Sequence, residues 1–124
     1  MTTSRRKGTS WETAIVAFLR SVGVPYAERR ALGGNKDRGD IAGLPGIAIE
    51  AKSARAIELS KWVDEAEKER ANDGARIGLV WIKRRGKTCP GSGFVILTGN
   101  GLVKLLADAG YIAFETADPE GHCP

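Results

Sequence analysis

Cysteine and histidine are scarce in this chain of 124 residues, and their scarcity limits the chemistry open to it. The two cysteines, Cys89 and Cys123, are too few and too isolated for a disulfide framework or a zinc site, and we interpret both as incidental. The single histidine, His122, lies two residues before the last. The body of the chain has no histidine for a catalytic triad, so any catalysis must use carboxylates, lysine and a metal ion.

Long apolar runs are also lacking. No run approaches the roughly 20 residues that a membrane-spanning helix needs, and no apolar stretch of signal-peptide type follows the basic start of the chain. Hydrophobic residues at 42% and charged residues at 27% are typical of a globular protein. We therefore predict one domain over residues 1–124, with loose tails at 1–8 and 117–124, in a cytoplasmic compartment.

Charge is unevenly distributed. Lysine and arginine total 19 against 15 acidic residues, a net charge of +4, and the acids concentrate in one predicted helix. The remainder is therefore strongly basic, which favours contact with a phosphate backbone. Composition by itself is also explained by charges scattered over an ordinary solvated surface. The predicted DNA-binding residues are Arg5, Arg6, Lys7, Arg29, Arg30, Lys36, Arg38, Lys83, Arg84 and Arg85.

Hydrophobic periodicity and turn residues divide the chain into nine elements. The spacing predicts helices over 10–22, 57–73 and 101–109, and strands over 25–32, 40–44, 47–53, 76–83, 94–98 and 111–116. The order α-β-β-β-α-β-β-α-β predicts a mixed sheet flanked by helices.

The most informative segment is a predicted hairpin around Pro45 and Gly46. Asp40 begins its first strand, and alternation along the second strand places Glu50 and Lys52 on the same face. Two carboxylates on adjacent strands can hold a divalent cation, and a neighbouring lysine can neutralise charge that develops on a phosphoryl group. The hairpin therefore predicts a phosphodiester-hydrolysing site.

An acid, a variable gap and then acid-x-lysine is the signature of the PD-(D/E)XK nuclease superfamily, which Asp40 and Glu50-Ala51-Lys52 resemble. The opening RRKGTSWE also resembles the start of archaeal-type Holliday junction resolvases, which carry a glutamate on the first helix. The segment from IELSKWVDEAEKE through VWIKRRG resembles phage resolvases. The resemblance implies a restriction-endonuclease-like fold, with metal binding by Glu12, Asp40 and Glu50, and with Lys52 stabilising charge. Two departures are Gly39 in place of the motif proline and the lack of a serine in the preceding loop.

Several side chains near this motif have a second interpretation. Glu12 also fits a capping box that begins at Thr9, and it would then only cap its own helix. Glu65 is expected to pair with Lys61 on the helix surface, although related nucleases often keep a polar residue facing the site from this helix. Trp62 and Trp81 are predicted core residues rather than stacking platforms.

The resemblance implies a Mg²⁺-dependent endodeoxyribonuclease, with Mn²⁺ fitting equally, that acts as a homodimer on four-way DNA junctions in a bacterial or phage-infected cell. The expected products are a 5′-phosphate and a 3′-hydroxyl. Flaps, duplexes or restriction targets are alternative substrates. The alternative from another functional class is a nucleic-acid-binding module that has no catalytic activity.

Overall fold

The computed structural model describes residues 3–31 and 39–113, with the backbone alone described for residues 3–7. Its elements are α1 (Thr3–Ser21), β1 (Glu28–Arg29), β2 (Ile41–Ala42), β3 (Ile47–Lys52), α2 (Leu59–Asp73), β4 (Ile77–Ile82), a 3-10 turn (Pro90–Ser92), β5 (Phe94–Ile96) and α3 (Gly99–Asp108). The strands form one open sheet in the order β1-β2-β3-β4-β5. The predicted mixed sheet with flanking helices is confirmed.

The central pair of strands, β3 and β4, is parallel, whereas the other neighbouring strands are antiparallel. α2 makes the connection between β3 and β4, as parallel neighbours require. The carboxyl ends of both strands therefore lie at the same edge of the sheet. There the Lys83 amide donates to the Lys52 carbonyl at 2.9 Å, which joins the two chain segments just beyond the strands.

α1 covers one face of the sheet through its apolar stripe. Trp11, Ile15 and Leu19 are buried against Ile49 and Trp81. The Trp11 indole nitrogen donates to the Trp81 carbonyl at 3.0 Å, so the polar atom of this large side chain is satisfied within the core. Residues 47, 49 and 51 of β3 consequently face α1.

α2 covers the opposite face, where Trp62 and Ala66 pack against Val80 and Ile82. Gly78 permits this close approach, because a Cβ atom there would lie 2.8 Å from the Ala66 carbonyl oxygen. Both tryptophans that the sequence assigned to the core, Trp62 and Trp81, are buried, so that prediction is confirmed.

Several predicted boundaries were wrong. α1 begins at Thr3, so residues 3–8 are helical rather than a loose tail. It ends at Ser21, and Val22, the last residue of the predicted helix, is exposed. β1 has only two residues, because Pro25 and Tyr26 lie in a turn before it. Residues 111–113 are not in a strand, and the rest of the predicted strand over 111–116 lies outside the described residues, as does the tail 117–124.

In the described part of the chain, no helix is both long and apolar enough to cross a bilayer.

Candidate active site

Glu50 and Lys52 lie on the α2 face of β3, as alternation along the strand predicts. Glu50 is 8% exposed, whereas Lys52 is half-buried near the carboxyl edge of the sheet. Their side chains are in contact, because the Lys52 ammonium nitrogen lies 3.3 Å from Oε1 of Glu50. The acid and the lysine of the motif therefore form one ion pair at the edge of the sheet.

A second carboxylate reaches Lys52 from α2. Oε2 of Glu65 lies 3.0 Å from the Lys52 nitrogen, and the Trp62 ring centroid lies 5.7 Å from the same atom. The predicted pairing of Glu65 with Lys61 was wrong, because packing of α2 on β3 turns Glu65 toward the sheet. Lys52 is thus held between acids from two elements.

These neighbours govern the protonation of Lys52. Burial by itself lowers the pKa of the Lys52 amine, but the hydrogen bond to Glu65 and the charges of Glu50 and Glu65 together outweigh it. The net result is a pKa above the ordinary value for lysine. Lys52 is therefore a cation at neutral pH, suited to stabilising negative charge rather than to accepting a proton.

Asp40 is fixed beside the motif by backbone hydrogen bonds. Its amide donates to the Ile49 carbonyl at 2.8 Å, and its Oδ2 accepts from the Ala51 amide, also at 2.8 Å. Asp40 therefore contacts the residue before Glu50 and the residue after it. The hairpin brings together the three residues that the sequence motif singled out.

One carboxylate oxygen at this site is buried without a hydrogen-bond donor. Oε2 of Glu50 has no partner among the described residues, although Oε1 is paired with Lys52. An unpartnered buried carboxylate oxygen is costly, and a cation is one means of compensating it. Oxygen ligands of this kind suit Mg²⁺ and Mn²⁺, so Asp40 and Glu50 fit a hard divalent cation.

Glu12 lies away from this pair. It is in the middle of α1, so the capping-box interpretation was wrong, and its Oε1 lies 3.4 Å from Nε of Arg29. α1 packs on the face opposite to Glu50. Within residues 3–31 and 39–113, no three Asp, Glu, His or Cys side chains are grouped as a metal site.

The predicted DNA-binding residues have different environments. Arg30 follows β1, and its Nη1 lies 3.6 Å from Oδ1 of Asp73 on α2. Because Arg29 of β1 pairs with Glu12 of α1, this short segment contacts both covering helices. Lys83 follows the carboxyl end of β4 and contacts Lys52 through its amide, and Arg84 and Arg85 come next in the chain, before β5. The side chains of Arg5, Arg6 and Lys7, together with residues Lys36 and Arg38, lie outside what the structure describes.

Comparisons with protein families, with curated proteins and with solved structures found no match for this chain.

Proposed function

We propose that this protein is a metal-dependent endodeoxyribonuclease of the PD-(D/E)XK type, and that Asp40, Glu50 and Lys52 form its active site. One observation carries the proposal. The buried Glu50 carboxylate keeps one oxygen without a hydrogen-bond donor among the described residues, beside a lysine cation and an aspartate that directly precedes the adjacent strand β2. A merely structural glutamate would be expected to have both oxygens satisfied.

Each residue of the site has a separate task in this proposal. Asp40 and Glu50 would hold Mg²⁺ or Mn²⁺, which supplies Lewis acidity to the phosphoryl group and activates the attacking water when bound. Lys52 stabilises the negative charge that develops on the phosphoryl oxygens. Glu65 holds the Lys52 side chain in place, and it is a positioning residue because it acts through Lys52.

The finer assignment is a restriction-endonuclease-like fold and a Holliday junction resolvase that acts as a homodimer. The hairpin β2–β3, the parallel strand β4 and the site at the carboxyl ends of β3 and β4 support this assignment. A four-way junction has two-fold symmetry, and symmetric cutting needs two active sites, which two copies would provide. Glu12 as a third metal ligand stays a prediction, and it requires release of the ion pair with Arg29.

The test is cleavage of labelled DNA in Mg²⁺. Rates on a four-way junction, a flap and a linear duplex are compared for the wild type, Asp40→Asn, Glu50→Gln and Lys52→Ala. The matched controls are Asp64→Asn, Glu58→Gln and Lys61→Ala, whose side chains are exposed. We expect at least about a hundredfold loss in the site variants, comparable to removal of one charge-stabilising donor elsewhere, and unchanged rates in the controls.

One observation favours a non-catalytic nucleic-acid-binding module, since the carboxylate of Asp40 already accepts a hydrogen bond from the backbone of β3. That module would bind DNA in a salt-sensitive manner and would be indifferent to Mg²⁺ and to Lys52→Ala. Absence of cleavage on every substrate would decide for this module, whereas undiminished cleavage by Glu50→Gln would overturn the assignment of Glu50 to the active site.

A further inference from the structure

An exposed aromatic ring lies in the same cross-strand row as Lys52. Lys52 is the register partner of Ile82 on β4, and Ile82 is the register partner of Phe94 on β5. Register partners point to the same face of a sheet. Phe94 therefore lies on the α2 face with Glu50 and Lys52, on β5, the outermost strand of the sheet.

Phe94 has the surroundings of a contact surface rather than of a core residue. It is 47% exposed, whereas its partner Ile82 is 3% exposed beneath α2. The Arg84 guanidinium carbon lies 4.9 Å from the centroid of its ring. A cation over an aromatic ring that faces solvent offers two planar surfaces on which a nucleobase can stack.

The charge around Phe94 matches a polyanion. The chain has no acidic residue from Gly74 through Ala107, and this stretch includes the cations Lys83, Arg84, Arg85 and Lys87. The last three of these cations are exposed, in the turn between β4 and β5. DNA backbone approaching Lys52 along this edge would therefore meet only positive side chains within that segment.

The segment that presents Phe94 is firmly attached to the fold. The Trp81 indole nitrogen donates to the Pro90 carbonyl at 3.0 Å, and Pro90 is buried. Gly93 packs so closely on β4 that a Cβ atom would lie 2.8 Å from the Ile82 carbonyl oxygen. A ring held in this way loses little conformational freedom when a base stacks on it.

We propose that Phe94, with Arg84 over its ring, stacks on an unpaired base of the DNA substrate within about three nucleotides of the scissile phosphate. The spacing follows from the sheet, because neighbouring strands lie about 4.8 Å apart and two such steps separate Phe94 from Lys52 by about 10 Å. Stacked bases of one strand are about 3.4 Å apart. The inference rests on the proposed function, and it assigns the substrate class as DNA with unpaired bases near the cut.

Equilibrium binding with a chelator present tests this stacking contact without cleavage. Fluorescence anisotropy is measured on a labelled thymidine single strand, a four-way junction and a blunt duplex. The variants are Phe94→Ala, Phe94→Leu and Phe94→Trp, and Tyr26→Ala is the matched control because Tyr26 is an exposed aromatic residue near β1, at the opposite edge of the sheet. Thermal unfolding verifies that each variant is folded.

We expect Phe94→Ala and Phe94→Leu to weaken single-strand binding about tenfold and to leave blunt-duplex binding within about twofold. Phe94→Trp keeps the wild-type affinity, and Tyr26→Ala has no effect. Phe94→Ala and Phe94→Leu should weaken binding to the four-way junction only if bases of the junction unpair. If their affinity for the junction is unchanged, the four-way junction is not the substrate that Phe94 recognises.

Three results would overturn the stacking contact: equal losses on single strand and duplex, wild-type single-strand affinity in Phe94→Leu, or no DNA binding at all. The proposed nuclease activity fails separately. If the protein cleaves DNA but its binding does not depend on Phe94, only the stacking contact is ruled out. If binding depends on Phe94 but no DNA is cleaved, only the nuclease activity is ruled out.

Discussion

At the scale of single residues, the arrangement of charge around Lys52 determines which chemistry the site can perform. Glu50 lies on the same strand as Lys52, whereas Glu65 comes from α2. Their combined effect raises the pKa of Lys52 despite burial, so the amine is a permanent cation at neutral pH. The carboxylates therefore have to supply metal binding, because Lys52 neither binds a cation nor accepts a proton.

Glu65→Gln is expected to lower the cleavage rate about tenfold, because residues that orient a ligand of an active site have effects of about 10- to 100-fold. The rate at saturating DNA should fall while the half-saturating DNA concentration is unchanged. Asp64→Asn, on an exposed neighbouring position, should have no effect. The pair with Lys52 is partly exposed, so the free energy of unfolding should change by less than about 1 kcal/mol.

The raised pKa of Lys52 also predicts that the free energy of unfolding depends on pH. A group whose pKa is raised on folding stabilises the protein fully below its unfolded pKa, about 10.4 for lysine. This contribution is lost as the pH rises through the folded value. The difference in unfolding free energy between the wild type and Lys52→Met should thus be constant from about pH 7 to 9 and shrink above about pH 10.4. Denaturant titrations with a chelator measure it, and a difference that grows in alkali would contradict the assignment.

At the scale of elements, the short edge strand β1 depends on contacts at both of its faces. Arg29 pairs with Glu12 of α1, and Arg30 pairs with Asp73 of α2. The amide of Arg30 also donates to the Asp40 carbonyl at 2.8 Å. β1 and Arg30, the residue that follows it, therefore help to hold the aspartate of the site, although none of their side chains belongs to the motif.

Gly43 allows the chain to pass close to the segment before β1. It has φ of +100°, and a Cβ atom would lie 2.1 Å from the Tyr26 carbonyl oxygen. Gly46 in the same hairpin has φ of +82° but open space around it. Gly43→Ala should therefore cost about 2 kcal/mol more than Gly46→Ala in unfolding free energy, because it adds overpacking to the common backbone strain. Equal losses in denaturant unfolding would show that the contact with Tyr26 is unimportant.

At the scale of the whole molecule, positive charge is concentrated in the segment that follows α2. The acidic residues of α2 precede a stretch, residues 74–107, that contains no acid. The net charge of +4 therefore understates the positive potential along the carboxyl edge of the sheet.

The salt dependence of duplex binding tests whether DNA contacts this positively charged segment. Arg85→Gln should reduce the slope of log affinity against log salt by about 0.9, the amount expected for one phosphate contact. Lys68→Gln, an exposed cation on the acidic helix, should leave the slope unchanged. Anisotropy titrations between about 50 and 200 mM salt compare the two variants. If Arg85→Gln and Lys68→Gln have the same slope, DNA binds to another part of the surface.

Much of the fold could be predicted because local patterns are strong. The hydrophobic periodicity that predicts a helix over 10–22 appears in the structure as a buried stripe of α1, and the alternation through Ile49 and Glu50 appears in β3. Boundaries were less predictable. The polar start of α1 has no apolar periodicity, so residues 3–8 were predicted as a tail although they are helical. In the site, the residues around Asp40, Glu50 and Lys52 were predictable because the hairpin is local.

The sequence by itself determined that Glu50 and Lys52 share a face of one strand, since side chains alternate along any strand. It also determined the acid-free stretch beyond α2. Only the tertiary structure decided that Glu65 holds Lys52, that Glu12 pairs with Arg29, and that Phe94 lies in the row of Lys52. These contacts join residues distant in the chain. They depend on how helices pack and how strands register, which local backbone geometry does not specify.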